Sequence, residues 1–487
     1  MPIHVHLTKQ HTTRLSFTGR TMSQLPEPLY QSLLSLLGES RLLTDPSSLE
    51  HYGRDWTRFA APAPSAVVLP ETVAEVQGIV RLAREHGTAI VPSGGRTGLS
   101  GGAMASKGEL VIALDRMNSI TEVNTINRSL TCGAGTITAA IQQAASDVGL
   151  CYPVDFASSG SSQIGGNIAT NAGGIQVIRY GMTRNWVSGL KVVTGTGELL
   201  ELNNGLMKNN TGLDLRHVMI GSEGILGIIV EATLQLTAPP KDPQVIVLGL
   251  PDMSAIMSVL QAFQSKIDLL AYEFFSELAL AKVVEHQGLQ RPFSEVTPFY
   301  ALLEFEHTGP DIDDHIMAVV EHCMAEGWVV DAVLSQSVAQ AKGLWRLRED
   351  ISETLSRWTP YKNDISTTIA KVPQFLSEVD AIVARYYPDL EVVWYGHIGD
   401  GNLHLNILKP DDVSVDEFQV RCKTVSKAIF EAIAFLGGSI SAEHGVGLLK
   451  KDFLGYSRSE AEVALMRGIK ALFDPDNIMN PGKVFDS

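Results

Sequence analysis

The segment from residue 395 to residue 406 constrains the fold most, because it places two histidines on either side of a tight turn. An apolar run leads into Gly399-Asp400-Gly401, and residues 403–408 then alternate apolar and polar side chains. Gly-Asp-Gly is typical of a turn that needs positive φ. In one straight strand, side chains seven positions apart would face opposite sides. Reversal of the chain at this turn predicts a hairpin that brings His397 and His404 together.

A second glycine-flanked segment, residues 441–445, offers a third metal ligand in Glu443 and a further imidazole in His444. Two histidines and one carboxylate leave coordination positions open, which is the pattern of a catalytic metal site. If this segment is extended, Glu443 and His444 point in opposite directions, so that one binds metal and the other faces substrate. The alternative is that the histidines only pack or hydrogen-bond inside a sheet. Their concentration in two short segments favours the metal site.

Length and composition limit the classes of protein to which this chain can belong. The chain has 487 residues, of which 45% are hydrophobic and 19% charged, as expected for a soluble protein of two or three domains. Its net charge of −16 argues against nucleic acid as a partner, but a local basic pocket can still bind an anionic substrate. Four widely spaced cysteines without a CxxC motif indicate reduced thiols in a cytosolic protein, with a disulfide between Cys132 and Cys151 as the alternative. Residues 1–25 lack acids and an apolar core, so we predict a disordered extension, with a transit peptide as the alternative.

Three glycine-rich stretches precede residue 230. Residues 92–102 follow a predicted strand and contain five glycines; their exposed N–H groups could bind phosphate, although they match no nucleotide fingerprint and a plain surface loop is the alternative. Residues 153–174 are almost all small, amide or hydroxyl side chains. A plain loop of that length is uncommon in a compact domain, which favours a bulky polar ligand. With residues 221–229, these stretches predict one domain that forms one extended cofactor cleft.

Beyond Pro239-Pro240 the sequence twice repeats strand, helix and strand, over residues 244–275 and 299–335. This pattern predicts a split α+β sheet with helices on one face. A helix around residues 344–355 is expected to carry Arg348 and Ser352 on one face, shortly before Lys362. The alternative for these basic residues is simple solvation.

Together these segments resemble the FAD-linked D-2-hydroxyacid dehydrogenases of the vanillyl-alcohol-oxidase-like FAD superfamily. The resemblance covers residues 43–485, and its motifs are residues 92–102, 163–174, 221–229, 397–404, 443–445 and 480–483. It implies an α+β fold with a two-subdomain PCMH-type FAD-binding domain and a split α+β, ferredoxin-like domain for substrate and metal. A helical C-terminal segment would return to the flavin. The implied bounds are 26–240, 241–440 and 441–487.

The same resemblance implies roles for individual residues. His397, His404 and Glu443 would bind a divalent metal, with zinc expected first and manganese second, and His444 would be the catalytic base. The carboxylates of the substrate would be held by Arg348, Ser352, Lys362 and Asn406. At position 352 the family commonly has threonine, and serine keeps the hydroxyl. FAD, bound without a covalent link, would contact Ser93, Gly94, Gly95, Arg96, Thr97, Gly98, Asp155, Ser161, Gly165, Gly166, Asn167, Thr170, Gly173, Glu223, Gly227, Ile229 and Asn480.

The implied reaction is the oxidation of D-2-hydroxyglutarate to 2-oxoglutarate. The metal would chelate and acidify the substrate hydroxyl, His444 would take its proton, and the Cα hydrogen would leave as hydride to flavin N5. Arg348 and Lys362 would bind the distal carboxylate, which disfavours lactate. The sequence contains no NAD fingerprint and no iron–sulfur cysteine set. Electrons would therefore pass to an external acceptor such as electron-transfer flavoprotein or a quinone.

Three other functions stay open on the sequence alone. One is a D-lactate or other D-2-hydroxyacid dehydrogenase of the glycolate oxidase type. Another is a metal-dependent hydrolase whose glycine-rich segments bind a nucleotide, and this protein would lack flavin absorbance. The third is a non-catalytic flavin-binding subunit, which need not keep the histidine and glutamate set. We expect a cytoplasmic protein, leave peripheral membrane attachment open, and allow for a homodimer.

Overall fold

A computed structural model of the chain describes residues 25–57, 60–309 and 311–486. The predicted N-terminal extension therefore lies, apart from its last residue, outside the described residues. Within them, no helix is both long enough and apolar enough to cross a membrane. Helices and sheets are mixed along the chain, and the predicted α+β class is confirmed.

The first half of the chain forms two sheets that share one hydrophobic core, and a smaller second core lies on the other face of the first sheet. Its helices and strands are α1 (Glu27–Leu37), β1 (Leu42–Leu43), α2 (Pro46–Tyr52), β2 (Ala66–Val68), α3 (Val73–Glu85), β3 (Ile90–Ser93), β4 (Leu110–Ala113), β5 (Ile120–Asn124), β6 (Ser129–Gly133), α4 (Thr138–Ser146), α5 (Ile164–Thr170), α6 (Val177–Tyr180), β7 (Val187–Thr194), β8 (Leu199–Leu202), α7 (Arg216–Met219) and β9 (Gly227–Gln235).

These two sheets frame the cofactor region. The first has the order β1-β2-β4-β3, in which β4 runs parallel to both β2 and β3. The second is antiparallel, with the order β5-β6-β9-β7-β8. Helix α3 begins where Thr72 and Glu75 form a capping box, which satisfies free N–H groups of the first turn. It buries Val76, Ile79 and Val80 against the core and thereby positions β3, whose end leads into the first glycine-rich stretch.

The second half forms one seven-stranded antiparallel sheet with the order β13-β10-β12-β11-β15-β16-β14. Its helices and strands, together with the C-terminal helix, are β10 (Pro243–Leu250), α8 (Met253–Gln264), β11 (Leu269–Ser276), α9 (Glu277–Gln287), β12 (Phe299–Glu306), α10 (Asp311–Ala325), β13 (Asp331–Leu334), α11 (Val338–Glu349), α12 (Ile351–Leu355), β14 (Tyr361–Ser366), α13 (Val372–Tyr386), β15 (Val392–Gly396), β16 (Asn402–Ile407), α14 (Val415–Phe435) and α15 (Glu460–Phe473).

Helices cover both faces of this sheet, so the prediction of helices on one face is wrong. Helices α8, α10, α13 and α14 pack on one face, and α9, α11 and α12 pack on the other. The reason is visible in β10, where Val245 and Val247 enter one core while Ile246 and Leu248 enter the other. A strand that is apolar at consecutive positions is buried on both faces.

The predicted hairpin around the two histidines is confirmed. Strands β15 and β16 are antiparallel partners, with Tyr395 opposite His404. A short 3-10 turn, Ile398–Asp400, joins them, and Gly401 adopts φ 85°, a left-handed conformation that glycine takes without strain. The single helix predicted over residues 344–355 is instead two helices, α11 and α12, that meet at Asp350.

The C-terminal segment returns to the first half of the chain. Leu454, Ile478 and Met479 join the core of that half, and the backbone N–H of Asn480 donates to the carbonyl of Ile90. Residues 441–447 therefore lie between the two halves, where they contact residues of both.

Candidate active site

The three glycine-rich stretches line one cavity, with an empty volume of about 920 Å³ that is partly open to solvent. It lies where β3 ends, beside α5 and the start of β9. Thirteen of the residues predicted to bind FAD line it: Ser93, Gly94, Gly95, Arg96, Thr97, Gly98, Gly165, Gly166, Asn167, Thr170, Glu223, Gly227 and Ile229. The stretches that are far apart in sequence therefore form one cleft, as predicted.

Four residues of the predicted FAD set do not line this cavity. The Asp155 carboxylate instead accepts hydrogen bonds from the Gln142 side chain and the Phe156 backbone. Ser161 packs behind Gly95, where a side chain on Gly95 would collide with the Ser161 carbonyl. Gly173 lies next to Glu443 instead, and the Asn480 amide donates to the carbonyls of Gly102 and Glu223.

The cavity fits a large polar cofactor such as FAD. Ser93 Oγ and Gln163 Oε1 are buried without a hydrogen-bond partner in the described part of the chain, so a bound polar group would satisfy them. Gln163 was not among the predicted site residues, although it stands out as an amide within a run of small side chains. The Arg96 guanidinium is committed to Asp115, at 2.9 and 3.1 Å. Anion contacts in this loop therefore fall to backbone N–H groups, which can bind phosphate.

His397, His404 and Glu443 converge in the second half, and their ligand atoms all lie within 4.8 Å of one another. Glu443 Oε2 is 3.8 Å from His397 Nε2, and Glu443 Oε1 is 3.4 Å from His404 Nε2. Burial lowers the pKa of His404 to about 3, so this imidazole is neutral and can donate its lone pair. Two imidazole nitrogens and one carboxylate suit a divalent cation such as zinc and leave coordination positions open.

His444 lies beside this cluster and faces Glu443, so the expectation that Glu443 and His444 point in opposite directions is wrong. His444 Nε2 lies 3.5 Å from Glu443 Oε1, and its ring stacks on that of His404 at 5.8 Å between centroids. The segment is curled because one oxygen of Asp364 accepts the backbone N–H groups of both Glu443 and His444, at 3.1 and 3.0 Å. Gly445, at φ 78°, continues the turn.

Two buried acids that sequence reasoning missed hold this cluster in place. Glu273 on β11 lies 2.7 Å from His397 Nδ1, and Asp364 Oδ2 lies 3.4 Å from His444 Nδ1. Burial opposes ionisation of Asp364, but His444 and Lys450 outweigh it and lower its pKa. Glu273 carried a signal in the sequence, because it is the one acid in the otherwise apolar run of residues 269–275.

The residues predicted to hold substrate carboxylates border the same cluster. Arg348 is buried, its Nη2 lies 2.7 Å from Glu273 Oε2, and its guanidinium covers the Tyr395 ring at 4.8 Å. The alternative of a solvated Arg348 is therefore wrong. The Lys362 Nζ donates to Ser352 Oγ at 3.1 Å. Asn406 is buried on β16 directly opposite Lys362 on β14.

The comparisons with known proteins agree with this architecture. Residues 64–203 match the FAD binding domain family, and residues 239–484 match the C-terminal domain of FAD linked oxidases. A D-2-hydroxyglutarate dehydrogenase of Stutzerimonas stutzeri (strain A1501) is 59% identical over 457 residues, which are 94% of this chain and 98% of that protein. The chain belongs to the D-2-hydroxyglutarate dehydrogenase family. A second member, from Xanthomonas citri pv. viticola, is 54% identical over 463 residues, 95% of this chain and 98% of that protein.

More distant members and solved structures extend the comparison. The mitochondrial D-2-hydroxyglutarate dehydrogenase of Bos taurus is 37% identical over 450 residues, 91% of this chain and 81% of that protein. A p-cresol methylhydroxylase has a TM-score of 0.73 at 17% identity, covering 94% of this chain and 97% of that one. An alkyldihydroxyacetonephosphate synthase has a TM-score of 0.71 at 18% identity, covering 96% and 87%. These two likenesses show the PCMH-type fold alone, whereas family membership identifies an FAD-linked dehydrogenase and removes the hydrolase and the non-catalytic subunit from consideration.

Proposed function

We propose that the protein oxidises D-2-hydroxyglutarate to 2-oxoglutarate, using non-covalent FAD and a divalent cation, zinc in preference to manganese. The observation that carries this proposal is the buried cluster of His397, His404 and Glu443, which Glu273 joins directly to the cation of Arg348. A 2-hydroxyacid with a second carboxylate matches both parts of this arrangement. As part of the proposal, residues 26–240 bind FAD, residues 241–440 bind substrate and metal, and residues 441–487 complete the site.

In this proposal the protein's own residues bind, orient and deprotonate the substrate. Bound FAD would supply a hydride acceptor at N5, and a bound divalent cation would make the substrate hydroxyl more acidic. His444 takes the hydroxyl proton, because its ring lies beside the ligand set and a neutral imidazole nitrogen can accept a proton. Asp364 accepts the backbone N–H of His444 and faces its Nδ1, which would orient Nε2 toward the substrate.

The selection of a dicarboxylate rests on the charges of two cations. Arg348 is already paired with Glu273 at 2.7 Å, so that pair is close to neutral. Lys362 has Ser352 as its hydrogen-bond partner and forms no ion pair with any acid in the described residues. Burial lowers the pKa of Lys362, a cost that an incoming carboxylate would offset. Lys362 therefore supplies the net positive charge for the distal carboxylate, and Arg348 adds planar hydrogen-bond donors.

The substitution Lys362→Met is expected to raise KM for D-2-hydroxyglutarate roughly 10- to 100-fold, because a hydrogen bond to a charged group contributes about 1.5–3 kcal/mol. KM and kcat for D-lactate, which has no distal carboxylate, should change little. Arg348→Ala is likewise expected to raise KM for D-2-hydroxyglutarate more than KM for D-lactate. Steady-state kinetics with both substrates measure the difference.

The matched control for this prediction is Lys282→Met, which removes a lysine of α9 that pairs with Glu391 and should alter neither KM. Equal losses on D-2-hydroxyglutarate and D-lactate in Lys362→Met would contradict the assigned role.

D-lactate is the second candidate substrate, since a putative D-lactate dehydrogenase of Schizosaccharomyces pombe is 33% identical over 482 residues. A panel of D- and L-2-hydroxyacids with an artificial acceptor dye tests both functions. We expect flavin absorbance in the purified protein, the highest kcat/KM with D-2-hydroxyglutarate, weaker turnover of D-malate and none of the L-acids. A higher kcat/KM with D-lactate would replace the proposed substrate.

Further parts of the proposal concern the surroundings of the enzyme. Electrons would pass to an external acceptor, either electron-transfer flavoprotein or a quinone. We propose a cytoplasmic location, with peripheral membrane attachment as the alternative, and a homodimer as the state to test by light scattering.

A further inference from the structure

Glu273 is a fully buried carboxylate that bridges two parts of the candidate site. It lies on β11, at the centre of the seven-stranded sheet. One oxygen lies 2.7 Å from His397 Nδ1, and the other lies 2.7 Å from Arg348 Nη2. A buried carboxylate is costly unless its oxygens are paired, and here both pair with residues of the site.

The contact with His397 fixes which ring nitrogen is free. Because Oε1 of Glu273 faces Nδ1, that nitrogen carries the proton it donates to the carboxylate. In the neutral ring the lone pair is then on Nε2, which lies 3.8 Å from Oε2 of Glu443, inside the ligand cluster. A carboxylate behind a histidine in this way orients the ring and makes it a stronger metal ligand.

The second oxygen of Glu273 contacts Arg348 and helps to hold its guanidinium in place. The planar group lies over the Tyr395 ring at 4.8 Å, and its Nη2 forms an ion pair with Glu273 Oε2 at 2.7 Å that is not aligned as a hydrogen bond. Its side chain is 6% exposed, so it has little freedom to choose another partner. The position of the guanidinium therefore depends on the charge of Glu273, and its Nε and Nη2 have no hydrogen-bond partner among the described residues.

We propose that Glu273 is a positioning residue that aligns the metal ligand His397 and the carboxylate receptor Arg348 at the same time. This inference rests on the proposed function, because it takes His397 as a metal ligand and Arg348 as a substrate contact. Glu273 itself touches neither metal nor substrate. Its two oxygens instead link the metal end and the carboxylate end of one substrate site.

Two substitutions test the metal end in the FAD-loaded protein. Glu273→Gln keeps the volume but offers one acceptor oxygen in place of two, so it cannot serve both partners. Glu273→Leu offers none. We expect zinc affinity, measured by competition with a chromophoric chelator, to fall about 10-fold in the first and up to 100-fold in the second. Saturating zinc should restore much of kcat, whereas general unfolding would also release FAD and could not be rescued.

Glutarate, a dicarboxylate without the hydroxyl, tests the carboxylate end in zinc-saturated protein. Its inhibition constant should rise at least threefold in Glu273→Leu. The matched control is Glu304→Gln. Glu304 is a buried acid on the neighbouring strand β12, and its carboxylate contacts the side chains of Gln176 and Trp345. This substitution should leave zinc and glutarate binding unchanged.

The possible outcomes separate the two proposals. Unchanged zinc affinity in both Glu273 variants would overturn the role toward His397, and unchanged or tighter glutarate binding would overturn the role toward Arg348. Wild-type protein that binds no zinc would instead refute the metal dependence of the proposed function.

Discussion

Replacing His444 with alanine is expected to lower kcat for D-2-hydroxyglutarate about 10²- to 10⁴-fold, the usual contribution of a positioned general base. Bound FAD and bound metal should both remain. The reason is geometric: His444 lies beside Glu443 and stacks on His404, yet it is not a member of the ligand cluster. Flavin absorbance, metal content and stopped-flow reduction of the flavin by substrate measure the three quantities separately.

The control for this variant is His307→Ala, which removes an imidazole that follows β12 and pairs with Asp313 of α10, far from the cluster in sequence. It should leave kcat unchanged. A His444→Ala protein with near-normal kcat would exclude His444 as the base. A variant that lost its metal would instead make His444 a ligand, contrary to the assigned role.

The sequence predicted the local structure of this site better than the contacts between residues that are far apart in the chain. Gly399-Asp400-Gly401 predicted the hairpin correctly, since turn geometry depends on the residues in the turn. The orientation of His444 could not be predicted locally, because the curl is imposed by Asp364, eighty residues earlier in the chain. Glu273 is likewise 124 residues from His397. Strand pairing brings such groups together, and one sequence does not specify which strands pair.

The cofactor cleft shows the same difference between local structure and long-range contacts. Its glycine-rich composition predicted a cavity, because small residues let backbone approach a ligand closely. Arg96 lines the cavity as predicted, but its guanidinium is already paired with Asp115. The positive charge of Arg96 in the sequence did not reveal whether its side chain would bind a ligand or pair with a neighbouring acid.

Removing the divalent cation is expected to lower kcat for D-2-hydroxyglutarate about 10³-fold or more, since a Lewis acid contributes several kcal/mol of charge stabilisation. FAD should stay bound, because its cavity is lined by none of the three ligands. Incubation with a chelator, followed by gel filtration and addition of zinc or manganese, tests this. Glu443→Gln should show the same loss without any chelator.

The release of metal should depend on pH in a defined direction. Burial alone would lower the pKa of His397, but the Glu273 carboxylate raises it to about 9, so in the metal-free site this imidazole is protonated below that pH. Metal must displace the proton, since it binds the neutral ring. The apparent affinity should therefore fall by about tenfold for each pH unit below 9. His404, with a pKa of about 3, adds nothing to this slope above pH 4.

Chelator competition at pH 6, 7 and 8 measures this slope directly. Metal affinity that stays constant over this range would show that no proton leaves His397 on binding, and would contradict the expected protonation of this imidazole in the metal-free site. Full activity after exhaustive chelation would refute the metal dependence of the proposed function, because activation of the substrate hydroxyl by His444 alone would then suffice for the reaction.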